Sequence, residues 1–502
     1  MGLHGKARWI AVVALAMASA FAATAQDLTP DAWLKTGDSH LAHRRYPEAV
    51  AAYRRARETD NADLRVQAGV GATRSLLRAG RYAEAAGFAA EVTARDPENA
   101  ATIASQGDVL WTSGFFPEAE ERYAAALARD PALPAALHGL GRSLAAQGQL
   151  TEAEAQVGSA AAGEPTDPLN WMTLGTIYER QWRYRDAVGA YRKSLALLPS
   201  RAWDDAARRT RERSDFLASF GANSTRVTAG GDDVHEIPIR IKNGRVLVQG
   251  KLSGWRVTDF ELDTGADAMV LTPFVARGVG IRATNTVQTA GVGTIFGGVR
   301  TVQIARLDRF EIGGLKVERI PTVVKAPSLG ATPGLETEGF SPLALGFSMR
   351  LDYHRKVMTI ARVLPEQQYE IRLPLRMQRL ALVRGTVNGS TTASFVLDTG
   401  GDSTALSRRL AETLKVDTTL RKVPVRVWGT SGWDRSAYLL PYTDVELAPG
   451  HGIKNKSIPV LDLGPMSAVL GINLGGIIGH ELLSEYEISI DLARHELGLT
   501  RR

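Results

Sequence analysis

The sequence predicts a multidomain protein in which an all-α array of helical repeats precedes an all-β unit of two similar lobes. Three observations support this prediction. Prolines recur at one fixed interval in the N-terminal half, short alternating apolar runs broken by Gly and Pro begin after Val234, and one acidic octapeptide occurs twice. Since a chain of 502 residues is too long for a single core, separate domains are expected.

Composition narrows the classes of function. Hydrophobic residues make up 44% of the chain and charged residues 23%, as in ordinary globular proteins. The net charge is +6, but the arginines are scattered and form no dense basic block, so no nucleic-acid partner is expected. The chain has no cysteine, which excludes disulfides and thiolate metal sites.

The N-terminal segment 1–25 has the pattern of a secretory signal peptide. Lys6 and Arg8 precede an apolar run from Trp9 to Ala23, and small residues at positions 23 and 25 suit a cleavage site. The run is shorter than the roughly 20 residues that a membrane-spanning helix needs. We therefore expect an exported protein, periplasmic or secreted, without a membrane span once residues 1–25 are removed.

The N-terminal half repeats at a fixed interval, and the repeated positions hold turn-forming and small residues. Three series share the same spacing: Pro97, Pro131, Pro165 and Pro199, then Ala85, Ala119, Ala153 and Ala187, then Gly107, Gly141 and Gly175. This pattern predicts paired helices with small residues at their crossings and a proline ending each second helix. It resembles the tetratricopeptide family, with about five repeats over residues 31–200 and a charged capping helix up to residue 220.

The tetratricopeptide resemblance implies a concave surface that binds a protein partner. The alternative is that the array only spaces the second half or makes it dimerise. Residues 221–233 are rich in small and polar residues without periodicity, and we interpret them as a linker between the array and the β-rich half.

The C-terminal half is one β-rich unit present twice. The octapeptide F-E-L-D-T-G-A-D begins at Phe260, and F-V-L-D-T-G-G-D begins at Phe395. Further residues match at nearly the same offset: Leu271 with Leu406, Ile281 with Val416, Glu311 with Glu446, Ile320 with Ile458, and Asp352 with Asp491. Two lobes, at residues 234–362 and 370–502, explain the duplication.

Each copy has an apolar strand that ends in Asp-Thr-Gly, followed by a Gly-rich hairpin. The pattern resembles the retropepsin-like aspartic peptidases, whose paired subunits carry one such loop each. Here both subunits are fused, so the resemblance implies an all-α tetratricopeptide solenoid followed by an all-β bilobal acid-protease-like domain. The activity implied is that of an aspartic endopeptidase acting on a peptide or protein substrate.

The chemistry explains why the acidic turn occurs twice. Two aspartates held close together cannot both ionise cheaply, so the pair shares one proton and serves as base and acid at once. Asp263 and Asp398 are the predicted dyad, one from each lobe. They would activate water and hydrolyse peptide bonds with no cofactor and no metal.

Supporting roles are predicted around the dyad. Gly265 and Gly400 let the backbone turn tightly beside the carboxylates, and the resemblance implies that the hydroxyls of Thr264 and Thr399 hydrogen-bond across the lobe interface. The resemblance also places Asp267 and Asp402 beside the site, contacting substrate backbone or fixing a salt bridge. The residues expected in the substrate-covering flaps are Gly291, Gly293, Phe296, Trp428 and Gly429.

The first copy departs from the family pattern behind its catalytic loop. The second copy has Ile477-Ile478-Gly479 before a short helix, whereas the first offers either Thr337-Glu338-Gly339 or Ala344-Leu345-Gly346. Two alternatives therefore stay open: a non-catalytic peptide-binding scaffold with a degenerate protease fold, or an oligomer in which each lobe pairs with its twin. No His-x-x-x-His pair beside a Glu and no Gly-x-Ser-x-Gly motif predicts another hydrolase chemistry.

Overall fold

The computed structural model describes most of the chain, and the ranges it describes are 28–199, 204–283, 285–290, 299–325, 338–414, 423–429 and 432–502. The predicted signal peptide lies outside these ranges. The chain divides into two compact units, Met1–Val109 and Leu110–Arg502. No helix among the described residues is long and apolar enough to cross a membrane.

The predicted helical array is present. The described residues between 30 and 218 form eleven helices: α1 (Pro30–Ala42), α2 (Tyr46–Ala56), α3 (Ala62–Arg78), α4 (Tyr82–Arg95), α5 (Ala100–Thr112), α6 (Phe116–Arg129), α7 (Pro134–Ala146), α8 (Leu150–Gly163), α9 (Pro168–Arg180), α10 (Tyr184–Ala196) and α11 (Asp205–Ala218). Pro97, Pro131 and Pro165 each stand two residues beyond a helix end, where a proline disfavours continuation of the helix.

The first unit has a core of its own. Leu34, Tyr53, Leu76 and Phe88, from successive helices, belong to one buried apolar cluster. The small residue at a helix crossing has a steric reason, because a Cβ at Gly37 would lie 2.6 Å from ring atoms of Tyr53. Only glycine lets the helices approach so closely.

In the second unit, helices and strands share cores. Trp111 and Phe116, at the start of this unit, are buried in one cluster with Leu382 and Val396 of the second lobe. The helix α11, predicted as a polar cap, also buries Phe216 against the first lobe in a cluster that includes Ile304. Helices of this unit are therefore packed onto both lobes of the β-rich domain.

The β-rich half contains 24 strands among the described residues. In the first copy they are β1 (Arg226–Ala229), β2 (His235–Lys242), β3 (Arg245–Leu252), β4 (Arg256–Leu262), β5 (Met269–Leu271), β6 (Asn285–Ala290), β7 (Val299–Ile312), β8 (Leu315–Val324), β9 (Glu338–Phe340), β10 (Ser348–Asp352) and β11 (Val357–Ala361). In the second they are β12 (Ile371–Pro374), β13 (Arg376–Gln378), β14 (Leu380–Val387), β15 (Thr391–Leu397), β16 (Ala405–Ser407), β17 (Val423–Pro424), β18 (Val427–Gly429), β19 (Gly432–Asp434), β20 (Tyr438–Ala448), β21 (His451–Leu461), β22 (Leu474–Ile478), β23 (Tyr486–Asp491) and β24 (Glu496–Arg501).

Short helices connect some of these strands. They are α12 (Pro273–Gly278), α13 (Arg408–Thr413), α14 (Gly464–Leu470), α15 (His480–Leu483) and a 3-10 turn at Leu343–Leu345. The helices α12 and α13 occupy corresponding places in the two copies. Each begins at a side-chain cap, in which the hydroxyl of Thr272 or Ser407 accepts a hydrogen bond from a backbone amide three residues later.

The two sequence copies do not form two separate sheets. Strands β10 and β23, from the ends of the first and second copies, pair antiparallel, with Met349 opposite Ile490 and Leu351 opposite Ile488. A sheet of 14 strands therefore includes β12, β23 and β24 of the second copy, and an eight-stranded sheet contains most of the rest. The pairing of β10 with β23 therefore joins the two lobes through continuous backbone hydrogen bonding.

The predicted linker is not a free connection. Within residues 221–233, strand β1 pairs antiparallel with β8, with Arg226 opposite Glu318 and Val227 opposite Val317. The side chains of Arg226 and Glu318 also form an ion pair at 2.7 Å. Small and polar residues suit an edge strand as well as a linker, so composition alone did not separate the two.

Candidate active site

Each of the two predicted catalytic aspartates directly follows a buried strand. Asp263 comes after β4 and Asp398 after β15, and the three strand residues before each aspartate are buried. A neighbouring parallel strand fixes each backbone, since the Asp263 amide donates to the Phe340 carbonyl at 2.9 Å and the Asp398 amide to Ile478 at 3.0 Å. The two loops are thus held in the same way.

These equivalent hydrogen bonds correct the alignment of the first copy. Phe340 stands where Ile478 stands in the second copy, so residues 339–341 answer residues 477–479. Neither sequence alignment of the first lobe placed them correctly, and Thr337 lies outside the described residues. The 3-10 turn at Leu343–Leu345 takes the place of helix α15, so the first lobe keeps an apolar residue and a helical turn behind its loop.

Glu338 is the polar residue that departs from the family pattern behind the Asp263 loop, and the structure shows that it binds the backbone and side chain of Thr272. It is 6% exposed, and its carboxylate accepts hydrogen bonds from the Thr272 amide at 2.5 Å and the Thr272 hydroxyl at 2.8 Å. Burial raises the pKa of Glu338 despite these hydrogen bonds. The side chain therefore fastens β9 to the start of helix α12.

The threonines of the two loops lock the lobes together reciprocally. The Thr264 hydroxyl donates to the Leu397 carbonyl at 2.8 Å, and the Thr399 hydroxyl donates to the Leu262 carbonyl at 2.7 Å. In return, the Thr264 amide donates to the Thr399 hydroxyl at 3.1 Å and the Thr399 amide to the Thr264 hydroxyl at 3.0 Å. Both threonines are buried, so four protected hydrogen bonds fix the spacing of the loops.

The aspartates meet across this lock. A Cβ built at Gly265 would lie 2.5 Å from Cγ of Asp398, and one built at Gly400 would lie 2.8 Å from Cγ of Asp263. Each glycine therefore lies directly against the carboxyl group of the opposite lobe. Neither has a left-handed φ, so close approach and not turn geometry makes glycine necessary here.

The two carboxyl groups have different surroundings. Burial is the main cause that raises the pKa of Asp263, and the charges of Asp398 and Glu261 raise it further. Burial also raises the pKa of Asp398, but hydrogen bonds from Gly400, Gly401 and the Asp263 carboxyl group oppose the rise. The Gly400 and Gly401 amides both donate to Oδ1 of Asp398 at 3.0 Å. The pair therefore holds a proton above the ordinary pKa range of aspartate.

Two ion pairs cross between the lobes beside the dyad. Asp267 of the first lobe lies 3.1 Å from the Arg379 guanidinium of the second, and Asp402 of the second lies 4.0 Å from Arg245 of the first. Arg245 also pairs with the buried Glu261 at 2.7 Å. Sequence reasoning named both aspartates but missed the arginines, because these occupy positions one residue out of phase between the copies.

The predicted flap residues are only partly within the described structure. Gly291, Gly293 and Phe296 lie outside it, although β6 and β7, which flank them, pair up to Ala290 opposite Val299. Trp428 and Gly429 lie in β18, whose hairpin with β19 places Gly429 opposite Gly432. Their role over a substrate stays a prediction.

The hairpin of β18 and β19 has an anchor that the sequence did not predict. Asp434 is fully buried at its base, and its carboxylate accepts hydrogen bonds from the Ser436 amide at 2.9 Å, the Ser436 hydroxyl at 2.7 Å and the Asp462 amide at 3.2 Å. An Asp followed two residues later by Ser is a turn signal. The tertiary partner at Asp462 has no such local signal.

Comparisons with known proteins match both parts of the chain. The family model described as aspartyl protease matches residues 248–346 and 383–481, one stretch in each lobe. The family model described as tetratricopeptide repeat matches residues 13–63 and 105–169. These matches confirm the predicted tetratricopeptide repeats followed by a retropepsin-like aspartyl protease domain in two lobes.

Solved structures similar to this chain include repeat proteins. A thermophilic tetratricopeptide-repeat protein from Thermus thermophilus is 20% identical over 38% of this chain and 100% of its own, with a TM-score of 0.31. PilF of Pseudomonas aeruginosa is 17% identical over 38% of this chain and 88% of its own, with a TM-score of 0.28. A search of curated protein sequences found no match.

Proposed function

We propose that this chain, which carries tetratricopeptide repeats and a two-lobed aspartyl protease domain, is an aspartic endopeptidase. One observation carries the proposal: Asp263 and Asp398, from different lobes, are brought together by the four mutual hydrogen bonds of Thr264 and Thr399, the residues that directly follow them. Each also lies against the opposite lobe's glycine. Two such carboxyl groups with one shared proton can act as base and acid in the same step.

The surroundings of Asp263 and Asp398 indicate which of them holds the shared proton before the reaction begins. Asp398 accepts two amide hydrogen bonds that favour its ionised form, so we assign it the role of base, whereas Asp263, whose pKa is raised by burial and by the charge of Asp398, keeps the proton. In the first step Asp398 takes a proton from water while the water oxygen bonds to the substrate carbonyl carbon. Asp263 gives its proton to the carbonyl oxygen, which produces a neutral tetrahedral diol.

The second step breaks the peptide bond and restores the enzyme. Asp398 passes its proton to the leaving nitrogen as the C–N bond breaks, and a hydroxyl proton of the diol returns to Asp263. The mutual threonine hydrogen bonds keep the carboxyl groups in register throughout. Holding reacting groups in place in this way converts an unfavourable encounter into an oriented reaction.

The alternative is a scaffold that binds peptides without cleaving them. Carboxyl groups held far apart, or a first lobe that lacks the support behind its loop, would favour that alternative. The position of each carboxyl group against the glycine of the opposite loop, and the retained Phe340 and helical turn behind Asp263, support the catalytic reading instead.

Hydrolysis of an unstructured protein tests the proposal. Asp398→Asn removes the base, and we expect the rate of casein cleavage between pH 4 and 6 to fall about 10²-fold or more. The matched control is Asp259→Asn, since Asp259 is a partly exposed carboxylate of β4 that pairs with Arg240. Unchanged cleavage by the Asp398 variant, or an equal loss in the control, would contradict the proposal.

A further inference from the structure

One position beside the dyad differs in size between the two lobes. In the first lobe it is Gly339, which directly precedes Phe340, and in the second it is Ile477, which directly precedes Ile478. The two positions are equivalent, because the Phe340 and Ile478 carbonyls each hold the amide of a catalytic aspartate. The second lobe therefore has a branched apolar side chain where the first lobe has none.

The side chain that Gly339 lacks would point towards the dyad. A Cβ built at Gly339 would lie 3.8 Å from Oδ2 of Asp263, which is van der Waals contact with an oxygen of the proposed catalytic pair. The φ of Gly339 is not left-handed, so no turn requires glycine here. Glycine inside a strand weakens it and often marks a place where a ligand approaches the backbone closely. The space over Gly339 therefore borders the point at which a substrate would react.

The neighbouring strand fills only part of this space. Val270 of β5 lies opposite Gly339, and Ala405 of β16 lies opposite Ile477. Val270 is larger than Ala405, and its Cβ would lie 3.3 Å from a Cβ at Gly339. However, Val270 is only half-buried, whereas Ala405 and Ile477 are 3% and 5% exposed. An apolar side chain thus remains partly accessible in the first lobe, while the corresponding position of the second lobe is closed.

A charged residue next to Gly339 in the sheet is already paired. Glu261 of β4 lies opposite Gly339 across the parallel pair of β4 and β9, where the second lobe has Val396 opposite Ile477. Glu261 is 6% exposed, and its carboxylate lies 2.7 Å from the Arg245 guanidinium. Since a buried carboxylate with a guanidinium partner needs no second cation, the space favours an apolar side chain of a ligand over a cationic one.

We propose that Gly339 is a specificity-determining residue, and that the space bordered by Gly339, Val270 and Glu261 receives a bulky apolar side chain of the substrate, such as phenylalanine or leucine. We call this space the Gly339 subsite. Because the lobes are duplicates that face each other across the dyad, each borders one side of the bond to be cleaved. Ile477 fills the equivalent space of the second lobe, so the other side of the bond takes a small residue.

The physical argument is a difference in burial. A substrate phenylalanine in the Gly339 subsite leaves water and contacts Val270, whereas an alanine leaves the subsite unfilled and forgoes those contacts. An apolar pocket discriminates against a smaller apolar side chain by about 10-fold or more in kcat/KM. This effect on cleavage rests on the proposed peptidase function, whereas binding tests the subsite by itself.

The test gives the first lobe the side chains of the second. Gly339→Ile combined with Val270→Ala, in the full chain, fills the subsite with the pair that Ile477 and Ala405 form in the second lobe. Val270→Ala alone is the control, because it widens the subsite and leaves Gly339 in place. Gly339→Ala, which adds only a methyl group, is a milder filling variant in case the double variant does not fold.

Cleavage of matched peptides is the first measurement. The peptides of a pair differ only in Phe or Ala on one side of the cleaved bond, which is located by mass spectrometry of digested casein. We expect wild type to prefer Phe about 10-fold or more in kcat/KM on one side of the bond only. The double variant should reduce this preference to within about 2-fold, Gly339→Ala should weaken it, and Val270→Ala should keep it. A purely structural effect would slow both peptides of a pair equally and leave their ratio unchanged.

Binding is the second measurement and does not need catalysis. Casein-derived peptides with Phe or Ala on either side of a central bond, in which CH2–NH replaces the amide, cannot be cleaved, and titration calorimetry measures their Kd. We expect one Phe peptide to bind wild type about 10-fold more tightly than its Ala counterpart. The filling variants should lose this difference, and Val270→Ala should retain it.

The outcomes separate the two proposals. If wild type cleaves casein without a Phe preference, or if both filling variants keep the wild-type ratio, the subsite is overturned and the peptidase proposal stands. If wild type cleaves no protein but binds one Phe peptide more tightly, and filling Gly339 removes that difference, the peptidase proposal fails and the subsite stands. Equal binding of Phe and Ala peptides by a chain that cleaves nothing would overturn both.

Discussion

At the scale of single residues, the dyad combines identical side chains in unequal surroundings. Asp398 accepts hydrogen bonds from two amides of its own loop, while the charge of Asp398 is one of the causes that raise the pKa of Asp263; the charge of Glu261 acts on both aspartates. In the proposed mechanism, this inequality separates the roles of base and acid, which the symmetry of the sequence would leave equivalent. It also means that the folded protein carries a carboxyl group whose proton is unusually hard to remove.

The raised pKa of Asp263 predicts a cost in stability that depends on pH. Because the folded state holds a proton that the unfolded state releases, stability is full below the unfolded pKa and is lost as pH rises towards the folded value. The loss is about 1.4 kcal/mol for each pH unit in that window. Asp263→Asn has no proton to lose, so we expect it to unfold at higher urea than wild type at pH 7.

The measurement is urea denaturation of wild type and Asp263→Asn at pH 5 and pH 7. The advantage of the variant should be larger at pH 7, and Asp259→Asn, an exposed carboxylate change, should follow wild type. If the stability of Asp263→Asn, Asp259→Asn and wild type changes with pH in the same way, the proton is not held by Asp263.

At the scale of elements, two parallel strands and a glycine place each carboxyl group. Gly265 and Gly158 make a matched pair of glycines with opposite surroundings. A Cβ at Gly265 meets the Asp398 carboxyl group at 2.5 Å, whereas nothing lies within 4 Å of one at Gly158, inside helix α8. Replacing glycine by alanine should therefore disturb the structure at position 265 and be tolerated at position 158.

We expect Gly265→Ala to push the carboxyl groups apart and lower kcat at least 10-fold. Gly158→Ala should raise stability by roughly 0.5–1 kcal/mol, because alanine favours the helix, and leave cleavage unchanged. Cleavage assays and urea denaturation of both variants measure these effects. Full activity in Gly265→Ala would mean that the loops adjust and that the close approach is not required.

At the scale of the whole molecule, the two lobes differ in what covers them. Leu380, Leu382 and Val396 of the second lobe are buried in a cluster with Trp111 and Phe116 of the array. In the first lobe, the exposed Val257 and Asp259 lie on β4, the strand that corresponds to β15. Helices of the second unit therefore complete a core of the second lobe at β14 and β15, whereas in the first lobe α11 packs near Ile304 of β7 and not on β4.

This cover predicts that the β-rich half depends on the helices. A chain of residues 221–502 would expose those three apolar side chains, each worth about 1.5–3 kcal/mol when buried. We expect this fragment to melt at a lower temperature than the full chain and to bind a hydrophobic dye. A fragment of residues 97–502, which keeps α5 to α11, should melt like the full chain and bind no dye. Equal melting temperatures for the two fragments would show that the helices are not part of this core.

Local patterns made much of the fold predictable from the sequence. The regular interval of prolines and alanines predicted the paired helices, and the repeated octapeptide predicted two equivalent loops with Asp263 and Asp398. These signals are local, because a turn residue, a helix crossing or an apolar strand end each depends on a few neighbouring residues. They did not reveal β1 in the supposed linker or the place of Phe340, where composition and spacing allowed more than one reading.

By itself the sequence determined the order of the parts, the repeat length and the identity of the two acids. Only the tertiary structure decided that β10 pairs with β23, that Arg379 meets Asp267 and Arg376 meets Glu120 of the array, and that helices cover part of the second lobe. These contacts join residues that are far apart in the chain. They depend on which surfaces meet after each element has formed, and no periodicity along the chain records that choice.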